Sequence, residues 1–146
     1  MKKVRFVVLA ILCLALSVTC FADGRMIPVD QLPEAAKAFV KTHFPESTVV
    51  YAEMETEAGA VKYEVKLNDG TELDFDKKGE WDKVDCKMTA VPAVLVPAVI
   101  AEYVKSCYPG ALIVKFDKER YGSEVELSNG LELKFNKKGQ LIAIDD

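Results

Sequence analysis

The sequence predicts an α+β fold built from two tandem copies of one helix plus a four-stranded antiparallel meander, with both helices packed on one face of the sheet. Three observations lead there. The chain repeats itself, each copy opens on a proline-bounded stretch with helical spacing, and each closes on short strands divided by strong turn signals.

The repeat is read by direct alignment. Leu32-Pro33 falls on Val96-Pro97, Phe39-Val40-Lys41 on Tyr103-Val104-Lys105 and Phe44-Pro45 on Tyr108-Pro109, all at an offset of 64 residues. Further on the offset is 60. There Glu64-Val65-Lys66-Leu67 meets Glu124-Val125-Glu126-Leu127, Gly70 to Phe75 meets Gly130 to Phe135, and Lys77-Lys78-Gly79 meets Lys137-Lys138-Gly139. A four-residue difference around Thr56 to Ala60 reconciles the two. One period near 60 residues with matched turns indicates duplication of a supersecondary unit, since two copies make no solenoid. The repeats are expected at about 29–86 and 91–146, within one domain at 23–146.

In chain order, residues 1–22 come first. Lys2, Lys3 and Arg5 precede an apolar run from Phe6 to Leu16 and the small-residue site Cys20-Phe21-Ala22, the three-part pattern of a secretory signal peptide cleaved after Ala22. The run is shorter than the ~20 apolar residues a membrane span needs, so no transmembrane segment is expected after processing. The alternative is a lipoprotein acylated at Cys20, although Ser17-Val18-Thr19 departs from the small-residue box that such processing favours. Loss of Lys2, Lys3 and Arg5 without any acid lowers the net charge from -4 to -7. An acidic surface disfavours nucleic acid and anionic lipid, both of which need basic contacts.

Pro33 and Pro97 suit a first helical turn, and Ala35, Ala36, Phe39, Val40 and then Val99, Ile100, Tyr103, Val104 follow at helical spacing. Pro45 and Pro109 stop both helices. Strands are expected near 48–55, 61–68, 71–76 and 81–86, and again near 112–118, 123–128, 131–136 and 141–145. Asn68-Asp69-Gly70, Ser128-Asn129-Gly130 and the two Lys-Lys-Gly turns supply the positive φ that tight hairpins require.

Alternation sorts these strands into two faces. Val61, Tyr63, Val65, Leu67, Leu73 and Phe75 form the helix-covered face, with Val125, Leu127, Leu131, Leu133 and Phe135 in the second copy. Lys62, Glu64, Lys66, Glu72 and Asp74 form the open face, with Glu124, Glu126, Glu132 and Lys134. If Val84 takes the buried phase, Trp81 and Lys83 turn to the charged side. Tyr51 and Val49 join them if Val50, Ala52 and Met54 point inward. Tyr51 and Trp81 among Lys62, Glu64, Lys66, Glu72, Asp74 and Lys83 form the candidate partner-binding patch, with rings for area and charges for register. The competing reading has Trp81 covering the seam between copies. On the patch reading, removing both rings abolishes partner capture and leaves the melt unchanged.

Helix, Phe-Pro or Tyr-Pro stop, four-stranded meander and the phrase Leu73-Asp74-Phe75-Asp76-Lys77-Lys78-Gly79-Glu80-Trp81 resemble the PepSY-like family of small periplasmic proteins, in both copies. That family is similar in fold to the beta-lactamase-inhibitor protein, which grips an enzyme with an open sheet face. The resemblance implies a periplasmic or secreted, non-enzymatic binding or inhibitor-like module whose partner is a periplasmic or cell-surface protein.

The chemical inventory agrees with a non-enzyme. His43, the sole histidine, ends the first helix where Cys107 ends the second, so a Cys-His pair would require two equivalent positions to meet. No nucleophile elbow, phosphate loop or His-x-x-x-His pair occurs. Cys86 and Cys107 are either disulfide-bonded or two small apolar residues. The candidate metal is Ca2+. Asp74, Asp76, Asp82 and Asp85 take positions one, three, nine and twelve of an EF-hand-like loop, with Gly79 at six. Lys78 at position five opposes it. A calcium-responsive or ligand-sensing domain is therefore the alternative function.

Overall fold

Turn chemistry fixes where the strands begin and end. The computed structural model describes residues 24–146, so the export reading of residues 1–22, including Cys20, lies outside the described residues. Asp69 and Asn129 each accept the backbone N–H two residues ahead, at 2.9 and 3.1 Å. Asp76 and Asn136 each accept two N–H groups around a Lys-Lys-Gly turn, at 2.8 to 3.0 Å. A side-chain oxygen thereby adds an acceptor to each turn, beside the backbone bonds that Gly70, Gly79, Gly130 and Gly139 donate to Leu67, Asp76, Leu127 and Asn136.

Between these turns run β1 (Arg25–Ile27), α1 (Glu34–His43), β2 (Val49–Glu57), β3 (Ala60–Leu67), β4 (Glu72–Asp76) and β5 (Trp81–Asp85). Then follow α2 (Ala98–Cys107), β6 (Ile113–Glu119), β7 (Gly122–Leu127), β8 (Glu132–Asn136) and β9 (Leu141–Asp145). All the strands pair antiparallel in sequence order, giving one nine-stranded sheet. The sheet is one strand larger than expected. Arg25–Ile27 is only three residues long, too short for alternation to be read in sequence.

Both helices end one residue before a proline-restricted position. Phe44 and Tyr108 return their N–H groups to Val40 and Val104 at 2.8 Å, and Pro45 and Pro109 bar them from helical backbone. Phe39 meets Phe75 edge-on at 5.5 Å, and Tyr103 meets Phe135 the same way at 5.5 Å. The register carries one apolar row across the sheet under these helices: Ile27, Ala52, Val65, Leu73, Val84, Phe116, Val125, Leu133 and Ile144. Burying each large side chain contributes about 2 kcal/mol, so this row and the helix faces above it hold the fold together. Val84 is 0% exposed because β6 covers β5, whereas Ile144, on edge strand β9, is 48% exposed.

Bulges interrupt the simple alternation in β2, β5, β6 and β9, and in β2 and β5 they correct the expected faces. In β2 the register shifts between Val49 and Tyr51, so Val49 packs toward the core while Val50 is 62% exposed. Val49 thus leaves the charged face, Val50 does not point inward, and Ala52 and Met54 do. In β5 the pairs Lys83↔Asp74 and Trp81↔Phe75 leave Asp82 as an extra residue. An extra residue reverses the side of everything beyond it. Trp81 therefore lies on the helix side, with its ring 5.9 Å from Phe39 and 5.7 Å from Phe116. It covers the seam where β5 meets β6, and its placement on the charged face is overturned.

Candidate functional site

The open face is organised by register. Across the sheet, Glu53, Glu64, Asp74, Lys83, Asp117, Glu124 and Lys134 are successive cross-strand partners. A second row runs through Tyr51, Lys66, Glu72, Asp85, Lys115, Glu126, Glu132 and Asp145. In each row five carboxylates meet two lysines, so the face is acidic. Of the residues expected in the binding patch, the structure brings Tyr51, Glu64, Lys66, Glu72, Asp74 and Lys83 together here. Lys62 lies one row away between Glu55 and Asp76, and Trp81 is on the opposite side.

Local geometry explains which charges are held. Lys66 Nζ is 2.5 Å from Glu72, and Lys87 Nζ reaches Glu72 at 2.8 Å and Asp85 at 2.6 Å. Hydrogen bonds from Lys66 and Lys87 hold the Glu72 carboxyl down at about 2. Lys83 Nζ sits 3.1 Å from Asp74; burial alone would lower the lysine, but Asp74 raises it. The Tyr51 hydroxyl donates to Glu64 at 3.4 Å. Desolvation, with Asp74 opposite, pushes the Glu64 carboxyl up, and desolvation does the same to Asp82 and Asp117. Oδ1 of Asp74 is buried without a hydrogen-bond partner among the described residues.

The four aspartates of the calcium loop do not converge. Asp76 closes the Lys-Lys-Gly turn, Asp74 faces Lys83, and Asp85 is held by Lys87 two residues further along the chain. They occupy two strands and a hairpin instead of a ligand loop. Among the described residues no group of three His, Cys, Asp or Glu side chains is disposed to hold a metal. Cys86 is buried at the end of β5 and Cys107 is exposed on α2, both as free thiols, so the bridge does not form. His43 lies against Phe39 with ring centroids 4.5 Å apart and planes tilted by 49°, and no helix among the described residues is long and apolar enough to cross a membrane.

Residues missed in sequence are Lys115 and Asp117 on β6, Glu53 on β2, and Lys87. The first three follow from alternation once the β2 and β6 bulges are known. Lys87 has no such signal, because it reaches the face from a left-handed position after β5, at φ 61°.

Comparison with known proteins places this geometry. Three solved structures superimpose on nearly their whole length. A "putative periplasmic protein" of the DUF2874 family from Bacteroides vulgatus is 44% identical, with TM-score 0.81, over 85% of this chain and 98% of that one. A second from Bacteroides vulgatus, described as of unknown function, is 38% identical with TM-score 0.81, over 84% and 99%. A "putative calcium-regulated periplasmic protein" from Bacteroides thetaiotaomicron is 44% identical with TM-score 0.80, over 85% and 98%. Among curated proteins none matches. The family described as "Putative beta-lactamase-inhibitor-like, PepSY-like" matches residues 22–60 and 61–143, the break falling at the start of β3. That match runs through both helices and into the last strand, and the chain belongs to the PepSY-like family.

Proposed function

We propose that this protein is an exported, periplasmic, non-enzymatic binding module that grips a protein partner of basic surface through its open sheet face. The observation that carries the reading is the pair of charged rows, continuous across the strands and acidic by five to two. Partly exposed ion pairs contribute at most about 1 kcal/mol each, too little to explain so ordered a lattice as a stabiliser of the sheet. Charge patterning of this kind instead sets partner choice and association rate.

Support also comes from internal duplication of the helix-and-meander unit. The aromatic contact of helix on sheet, the Asx turns and the strand bulges recur at equivalent positions in both halves. Fusing two units doubles the length of the open face. The periplasmic setting rests on the relatives and on the leader-like residues 1–22. Charge reversal tests the reading: Lys83→Glu with Lys115→Glu should alter capture of a basic partner from a native periplasmic extract, and Asp74→Lys with Glu126→Lys should abolish it. Capture unchanged by the second pair sinks the proposal.

A calcium-responsive reading is favoured by one observation, the unpartnered Asp74 Oδ1 beside the raised Glu64, together with the description of one relative as calcium-regulated. A specifically bound ion stabilises the folded state by mass action. Coincident melts in calcium and in chelator eliminate it, and a rise with calcium that Asp74→Asn removes favours it.

A further inference from the structure

The helix side of the sheet is not equally filled in its two halves. Beside the main apolar row runs a second row, Met54, Tyr63, Phe75 and Trp81 in β2 to β5. Its counterpart in β6 to β9 is Lys118, Ser123, Phe135 and Leu141. The first half places Met and Tyr where the second places Lys and Ser. Met54 and Tyr63 pack against the core, whereas around Lys118 and Ser123 a cleft of about 450 Å³ opens. That lies within the ~300–1,000 Å³ range of small-molecule sites.

The lining has two characters. Trp81, Leu95, Pro97, Ile100 and Phe116 give it an apolar wall and floor. Lys118, Lys137 and Lys138 stand against a single acid, Glu119, in a chain whose net charge is -4. Lys118 is the pivotal cation. Its Nζ lies 3.7 Å from the Trp81 ring centroid and donates to the Trp81 carbonyl at 2.9 Å, which holds it over the cleft with no carboxylate at salt-bridge distance among the described residues. Partial desolvation lowers its affinity for the proton, and the more distant carboxylates of Asp82, Glu80 and Asp76 oppose that shift. An anion arriving in the cleft would supply Lys118 with a counter-charge in direct contact, which those carboxylates do not.

We propose that this cleft is a binding site for a small apolar-tailed carboxylate, its tail against Trp81, Phe116 and Ile100 and its head toward Lys118. The site lies on the opposite side of the sheet from the proposed partner surface, so neither reading depends on the other. Trp81 is the only tryptophan of the chain, and its fluorescence therefore reports the cleft directly. Titration of the purified protein with decanoate should give a saturable change in that fluorescence, and 1-decanol should bind at least about tenfold more weakly, the scale of one charge-assisted contact. Lys118→Met should weaken decanoate about tenfold and leave decanol unchanged. Ser123→Tyr, which installs the residue of the first half, should remove both responses at an unaltered circular dichroism spectrum. The proposal is overturned if decanoate gives no saturable change, if decanol binds as tightly, or if Lys118→Met binds decanoate like the parent.

Discussion

At the scale of single residues, the side of the sheet a group occupies decides its energetic role. Trp81 wedges between Phe39 and Phe116 at the β5–β6 seam, so Trp81→Ala should cost about 3 kcal/mol in a denaturant melt. Tyr51→Ala on the open face should change stability by no more than about 0.5 kcal/mol. The double substitution expected from sequence to leave the melt untouched will therefore lower it, through the indole alone. Glu72 and Glu64 lie on that same open face with opposite signs. Glu72, held at about 2 in the folded state, contributes stability that is full above pH ~4.5 and lost as pH falls toward 2. Glu72→Gln should melt earlier than the parent at pH 7 and converge with it near pH 2. Glu64 is displaced upward, so its ionisation works against folding. Glu64→Gln should melt later than the parent at pH 7, and the gap should close as the solution is acidified below the carboxylate range.

Among elements, the Lys-Lys-Gly hairpins show why turn signals were so legible. Gly79 has φ 83°, and a Cβ there would lie 2.7 Å from Pro33 Cβ and 2.9 Å from the Ala36 nitrogen, so the turn is pressed against the start of α1. Gly70 has φ 92° but nothing within 4 Å of its missing Cβ. Alanine at Gly70 should cost about 1 kcal/mol from backbone strain alone, and alanine at Gly79 about 2 kcal/mol or more, since steric overlap is added. Equal losses in parallel melts would refute this docking of turn on helix. Both turns, both proline stops and eight of the strands could be read from residue types, because each depends on neighbours within a few positions. The bulges at Val50 and Asp82 could not. They depend on what the partner strand does, and alternation carried past an extra residue assigns Trp81 to the wrong side. Three-residue β1 escaped for a different reason, since its existence depends on the edge of β2 and not on its own pattern.

On the scale of the whole molecule, nine strands in sequence order separate an apolar layer under two helices from an acidic layer open to solvent. The open rows include Lys66, Lys83, Lys115 and Lys134, whereas Lys41, Lys105 and Lys137 lie on the helices or on a turn of the helix side. Most of the candidate patch was legible because Glu64, Lys66, Glu72, Asp74 and Lys83 alternate with buried neighbours. Its extension over β6 and the cleft behind the sheet depend on the pairing of the two halves, which no local pattern encodes. The most direct test of the proposed binding face is lysine acylation of the protein alone and in complex with a partner captured from a periplasmic extract, read out by mass spectrometry. Protection of Lys66, Lys83 and Lys115 with unchanged labelling of Lys41, Lys105 and Lys137 is the predicted result. Protection of the helix-side lysines with the open rows still reactive would contradict it.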